Sequence, residues 1–115
     1  MRDDKEYIII DLTFKFSLAI LEYCELLEQK KKYIVARQLL KSGTSIGANS
    51  REAQNAESKA DFIHKFKIAA KEADETEYWL LLCKELQHYP DPEKLLEDLH
   101  SIIKIISKII SSSKS

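Results

Sequence analysis

Ser42-Gly43-Thr44-Ser45-Ile46-Gly47-Ala48-Asn49 holds both glycines of this 115-residue chain, and its reading decides the fold. Read as a turn, it splits the stretch from Tyr33 to Gln54 into two short segments. Read as helix, it joins Val35, Leu39, Ser42, Gly43, Ile46, Ser50 and Ala53, which recur at spacings of three and four, the period of one helical face. A turn would break that period at the glycines, yet the period runs through them. The spacing therefore predicts one continuous helix of roughly 22 residues, about 33 Å long at 1.5 Å per residue. In it Gly43 and Gly47 form a ridge without side chains. Such a ridge lets a neighbouring backbone approach closely, at a cost of about 1 kcal/mol of helix propensity per glycine. A helix stop followed by a short loop is the alternative that glycine punctuation allows.

Outward from the ridge, Asn55-Ala56-Glu57-Ser58 is the expected connection. Ser58 with Asp61 resembles a capping box in which Asp replaces Glu, so a third helix should begin at Lys59. Its inward positions are Phe62, Phe66, Ala69, Ala73, Thr76, Leu80 and Cys83. The small residues Ala69, Ala70 and Ala73 are expected to meet Gly43 and Gly47, making the second and third helices the close-packed pair. Asp91-Pro92-Glu93 supplies a cap, a proline at the first helical position and an acid in the first turn. The fourth helix then turns Leu95, Leu96, Leu99, Ile102, Ile103, Ile106, Ile109 and Ile110 inward. Before the ridge, a first helix is expected from a cap at Asp11 or Thr13, with Phe16, Ala19, Ile20, Tyr23, Leu26 and Leu27 inward. It should end in Glu28-Gln29-Lys30-Lys31-Lys32, whose lysines suit the negative end of the helix dipole. Residues 1–10 and 111–115 are expected to be flexible arms. Four amphipathic helices with short connections predict a single all-α domain, an antiparallel up-and-down four-helix bundle.

Composition agrees, because two prolines and two glycines leave few places to turn. The formal charge of −1 selects no partner, but the charge is unevenly spread. Between Gln29 and Lys71 ten Lys/Arg stand against three acids, a net of +7 that leaves −8 for the rest. Cys24 and Cys83 lack a CxxC spacing and fall on apolar faces, so reduced core thiols are expected. No apolar run approaches the ~18 residues that span a bilayer, and the start of the chain lacks the cationic region and cleavage site of a secretion signal. The expectation is a cytoplasmic protein with no membrane partner. Lys104 and Lys108 would suit the polar edge of a membrane-lying helix, but core packing explains the isoleucines of the fourth helix more simply.

Ser45, Asn49 and Glu52 share one face of the second helix, at i, i+4 and i+7, and are expected to form a polar layer that fixes register. A carboxylate-rich bundle can hold a di-metal site when Glu-x-x-His stands on two helices; Glu85-Leu86-Gln87-His88 and Glu97-Asp98-Leu99-His100 have that spacing, but none of these four acids and histidines stands at an inward position of its helix. Metal and cofactor sites are therefore not expected, nor are catalytic residues. The block Tyr78-Trp79-Leu80-Leu81-Leu82-Cys83 is apolar all round its helix. Trp79 and Leu82 should then protrude and mark a subunit contact near the acids Glu72, Asp74, Glu75 and Glu77. Arg37 and Lys41 on the second helix, and His64, Lys67 and Lys71 on the third, offer short basic stripes. These could hold RNA or DNA weakly and without sequence preference. A purely structural role, or engagement of another protein, is the competing expectation.

Ala36-Arg37-Gln38-Leu39-Leu40, then Ser45-Ile46 with Asn49 and Glu52, then Ser58-Lys59-Ala60-Asp61-Phe62-Ile63-His64-Lys65, and Glu75-Thr76-Glu77-Tyr78-Trp79-Leu80 resemble one known group. It is the S23 family, four-helix bundle proteins encoded in intervening sequences of bacterial 23S rRNA. The resemblance covers about residues 11–110. It implies a small bacterial bundle that assembles as a homopentamer, with no established enzymatic activity. The family is similar to the accessory protein of diversity-generating retroelements, a basic pentamer that binds nucleic acid and a reverse transcriptase. Where the family usually reads Asn-Ile-Ala-Glu-Gly, this chain has Asn49-Ser50-Arg51-Glu52-Ala53. Without the turn glycine the second helix is expected to run longer.

Overall fold

Helix α2, Tyr33–Ala53, is continuous through Gly43 and Gly47 in the computed structural model, which describes residues 4–114. It is joined in order by α1 (Asp4–Gln29), α3 (Lys59–Glu85) and α4 (Glu93–Ser113), with no strand among the described residues. Each helix packs on its neighbours in the chain and α1 closes on α4, leaving α1 diagonal to α3 and α2 diagonal to α4. This is the antiparallel up-and-down bundle, 46 × 20 × 19 Å. Its centre is filled by Phe66, Ile9, Ile20, Leu27, Leu39, Ile46, Leu80, Leu99, Ile102 and Ile106, all essentially sealed from solvent.

The sequence turns the chain mostly where expected. The α1–α2 connection bonds the Lys31 N–H to the Glu28 carbonyl and the Lys32 N–H to the Leu27 carbonyl, the pattern of a Schellman stop. Its left-handed position, φ 64°, is occupied by Lys31, because both glycines are committed to α2. At the start of α3 the Ser58 hydroxyl accepts from the Asp61 N–H at 3.0 Å, and the Asp61 carboxylate accepts from the Glu57 N–H at 3.2 Å. Aspartate's shorter arm reaches the N–H before the cap rather than that of the cap itself. The Asp91 carboxylate accepts from the Glu93 N–H at the start of α4.

Three expectations are corrected. Residues 4–10 are not an arm: α1 begins at Asp4, and residues 1–3 lie outside the described residues. The core face Ile9, Thr13, Phe16 and Ile20 extends one more turn back than a cap at Asp11 or Thr13 would allow. Thr13 is buried and its hydroxyl donates to the Ile9 carbonyl at 2.7 Å, the bond a mid-helix threonine makes. At the other end Ser111–Ser113 continue α4, and residue 115 lies outside the described residues. Third, the glycine ridge faces α1 rather than Ala69 and Ala73 of α3. A Cβ on Gly43 would stand 2.9 Å from two side-chain carbons of Ile20, and one on Gly47 would stand 3.2 Å from the Thr13 carbonyl oxygen. Ala69 and Ala73 are fully buried on α3, whose tie to α2 runs through Ser42 and Thr76.

Candidate functional site

The Ser45, Asn49 and Glu52 face lies along the edge of α2 that looks toward α3. The Ser45 hydroxyl donates to the Lys41 carbonyl at 2.7 Å, and the Asn49 amide donates to the Ser45 carbonyl at 2.9 Å. Both side chains thus bond their own helix. Glu52 alone crosses, to Lys65 at 3.2 Å. The buried polar tie is instead Thr76 Oγ1, 2.9 Å from Ser42 Oγ and 2.8 Å from the Glu72 carbonyl. With one proton per hydroxyl, both contacts are satisfied when one proton goes to the carbonyl and the other lies between the hydroxyls. Sequence reading placed Ser42 and Thr76 on the right faces but did not pair them, since spacing alone does not give the height of one helix against another.

Nucleophile chemistry finds poor ground in this core. Cys24 and Cys83 are free and buried. Burial pushes the Cys24 thiol up to about 12, with Glu28 and Cys83 adding to the rise. Burial raises Cys83 as well, against a hydrogen bond from Tyr23. Both thiols are therefore protonated and weakly reactive near neutrality. Among the described residues no group of three or more His, Cys, Asp or Glu stands close enough to hold a metal ion.

The basic residues do not merge into one patch. Arg37 and Lys41 are exposed on α2, and His64, Lys67 and Lys71 are exposed on α3. Ser42 meets Thr76 and Glu52 meets Lys65. Lys41 is therefore level with the acidic turn of α3, while Lys67 lies several turns away.

Apolar exposure is the more distinctive surface. Trp79 and Leu82 do not protrude: both are half-buried, and Trp79 packs on the core. Their neighbours Tyr78 and Leu81 are the exposed ones, Tyr78 at 59%. The block is apolar all round, so sequence alone could not tell which side faced out. A second and longer stripe runs down α1, where Tyr7, Phe14, Leu18 and Leu21 are exposed, Phe14 at 60%. Leu40 continues it on α2. Between the helices lies a groove of about 510 Å³, lined by Tyr7, Ile10, Asp11 and Phe14 of α1 and by Gly47, Ala48 and Arg51 of α2. Sequence reading missed this stripe. Phe14, Leu18 and Leu21 stand beside the core set Phe16, Ile20 and Tyr23, and their spacing of three and four was the available signal.

Fold and surface together define an all-α up-and-down four-helix bundle with buried thiols and apolar side chains left exposed along α1 and α3. The chain belongs to the family of 23S rRNA-intervening sequence proteins, whose family model matches residues 5–112. Among solved structures it is similar to a protein of unknown function from the S23 ribosomal protein family of Bacteroides thetaiotaomicron VPI-5482. The two share 41% identity at a TM-score of 0.87, over 93% of this chain and 98% of that one. No curated protein matches.

Proposed function

We propose that this protein is a non-enzymatic scaffold of the cytoplasm that works as a closed ring of like subunits and engages another protein. The observation that carries the reading is the α1 stripe of Tyr7, Phe14, Leu18 and Leu21. A helix of a monomeric bundle buries one apolar stripe, and α1 carries a second on its outer side. Contiguous apolar surface of this kind marks an interaction site. Five subunits is the number that the family resemblance implies. Among the described residues no helix is long and apolar enough to cross a membrane, so lipid is not the cover argued for. Native mass spectrometry at micromolar concentration is expected to show a single closed oligomer, and a stable monomer there would refute the scaffold.

Weak nucleic-acid binding is the second reading, resting on exposed Arg37, Lys41, Lys67 and Lys71. Asp74 and Glu75 stand between its two halves, which disfavours a continuous phosphate track. If phosphates are held, gel shifts with structured RNA and duplex DNA should weaken steeply from about 50 to about 200 mM salt. No shift at the low-salt end removes this reading.

A further inference from the structure

We infer that the α1–α2 groove binds one amphipathic carboxylate, a free acyl-chain anion whose chain lies in the groove and whose head meets Arg51. This goes beyond the scaffold reading and needs no second copy of the chain. The groove follows from the sequence of the seam. Gly47 has no side chain and Ala48 only a methyl, so α2 puts almost nothing into the space beside the exposed rings of Tyr7 and Phe14. Ile10 lines the same space, whose volume of about 510 Å³ falls within the range of small-molecule sites. Along α1 the lining runs from Tyr7 to Ser17, roughly 15 Å at 1.5 Å per residue. That length suits an acyl chain laid along the seam.

The polar end of the groove selects the head. A smaller cavity of about 210 Å³ adjoins it, sharing Ile10 and Arg51 and adding Gln54 and Asn55. Apolar lining thus gives way to a guanidinium and two side-chain amides. Arg51 makes no ion pair with any described residue. Of the acids nearby, Asp11 lines the groove but is held by Lys15 at 3.0 Å, and Glu52 is held by Lys65 at 3.2 Å. Glu6 lines the next cleft, at the end of the bundle, together with Lys59. Arg51 is therefore the uncompensated charge of the site, and its planar fork of donors matches a carboxylate. The Gln54 amide donates to the Ser50 carbonyl at 3.3 Å, which leaves its second N–H for the head. A phosphate head would bring a further negative charge to a site with Asp11 on its wall and no second cation lining either cavity. The singly charged carboxylate is the better match.

The test is calorimetric titration of the full-length protein with dodecanoate and with dodecylammonium, each below micelle formation. The two probes share a chain and differ in the sign of the head, so they separate Arg51 from Asp11. Wild type is expected to bind one dodecanoate per chain saturably, and dodecylammonium far more weakly. Arg51→Gln leaves an amide in place and removes the charge. It is expected to weaken dodecanoate about tenfold, the worth of one charge-assisted contact at an exposed position. Ala48→Trp fills the groove and Phe14→Ala removes one wall. Whichever of these keeps its helical circular dichroism is expected to weaken dodecanoate as well. Dodecylammonium bound as tightly as dodecanoate, or dodecanoate binding that Arg51→Gln leaves unchanged, overturns the carboxylate site. So does the absence of saturable binding to wild type. None of these results alters the oligomeric state seen by native mass spectrometry, so the scaffold reading is judged separately. A monomeric wild type that binds dodecanoate removes the scaffold and keeps the site.

Discussion

Gly43→Leu is expected to lower the melting temperature by about 4–12 °C at fixed protein concentration. The contact is with side-chain carbons close to the root of Ile20, which is itself sealed in the core. A Cβ at 2.9 Å must move something, and the first carbons of a buried, branched side chain have nowhere to rotate. Overpacking of this sort costs about 1–3 kcal/mol, and a domain of this size loses roughly 4 °C per kcal/mol. Gly47→Ala is a sharper control. Its Cβ would meet the Thr13 carbonyl at 3.2 Å and Ser17 Oγ at 3.3 Å, so a few tenths of an ångström must be found between two backbones. Replacing a helical glycine returns about 1 kcal/mol of propensity, which offsets that strain and leaves the net change small. An unchanged melting temperature for Gly43→Leu would mean that α1 and α2 part easily, and the ridge would lose its role.

The same ridge shows what sequence carries and what it does not. Period alone was enough to run α2 through both glycines, because seven positions on one face outweigh two poor helix formers. The partner of the ridge was not legible. Gly43, Gly47, Ala69 and Ala73 are all small, and matching them to one another was natural. Yet Ser42 and Gly43 are adjacent on the helix and point about 100° apart, one to Thr76 of α3 and the other to Ile20 of α1. A residue's face is set locally, whereas the helix that occupies it depends on how four cylinders are arranged. The start of α1 failed for another reason: a threonine at position 13 reads equally as a cap or as a buried residue bonding four positions back. Of the candidate site, the Ser45, Asn49 and Glu52 alignment was legible as a face, and the hydrogen bonds back into the same helix were not. Which side of the Tyr78–Cys83 block is exposed depends on how α3 rolls against its neighbours, so it appeared only in three dimensions.

Alkali is expected to unfold this bundle through its thiols. Cys24 is buried, and its Sγ donates to the Ala36 carbonyl at 3.4 Å. Burial first, then Glu28 and Cys83, raise it from an ordinary 9.0 to about 12. Below pH 9 the folded and unfolded chains both hold this proton, and the group gives no pH dependence. Between pH 9 and 12 the unfolded chain releases it while the folded chain keeps it, so stability falls by about 1.4 kcal/mol per pH unit. Above pH 12 the folded chain releases it too and the loss levels off. Cys83 is raised as well and acts in the same direction. Tyr23 is pushed above its ordinary value of 10.0 by burial and by its hydrogen bond with Cys83, so it joins above pH 10. Urea unfolding at pH 8, 9, 10 and 11 should therefore show a decline that steepens above pH 9, with about 2–3 kcal/mol of it from Cys24 alone by pH 11. Cys24→Ala removes this group and with it a small part of the rise at Tyr23, so its curve should be shallower whatever its stability at pH 8. Parallel curves for the two proteins would mean that the Cys24 thiolate is tolerated in the fold, and that Glu28 and the surrounding core do not hold its proton.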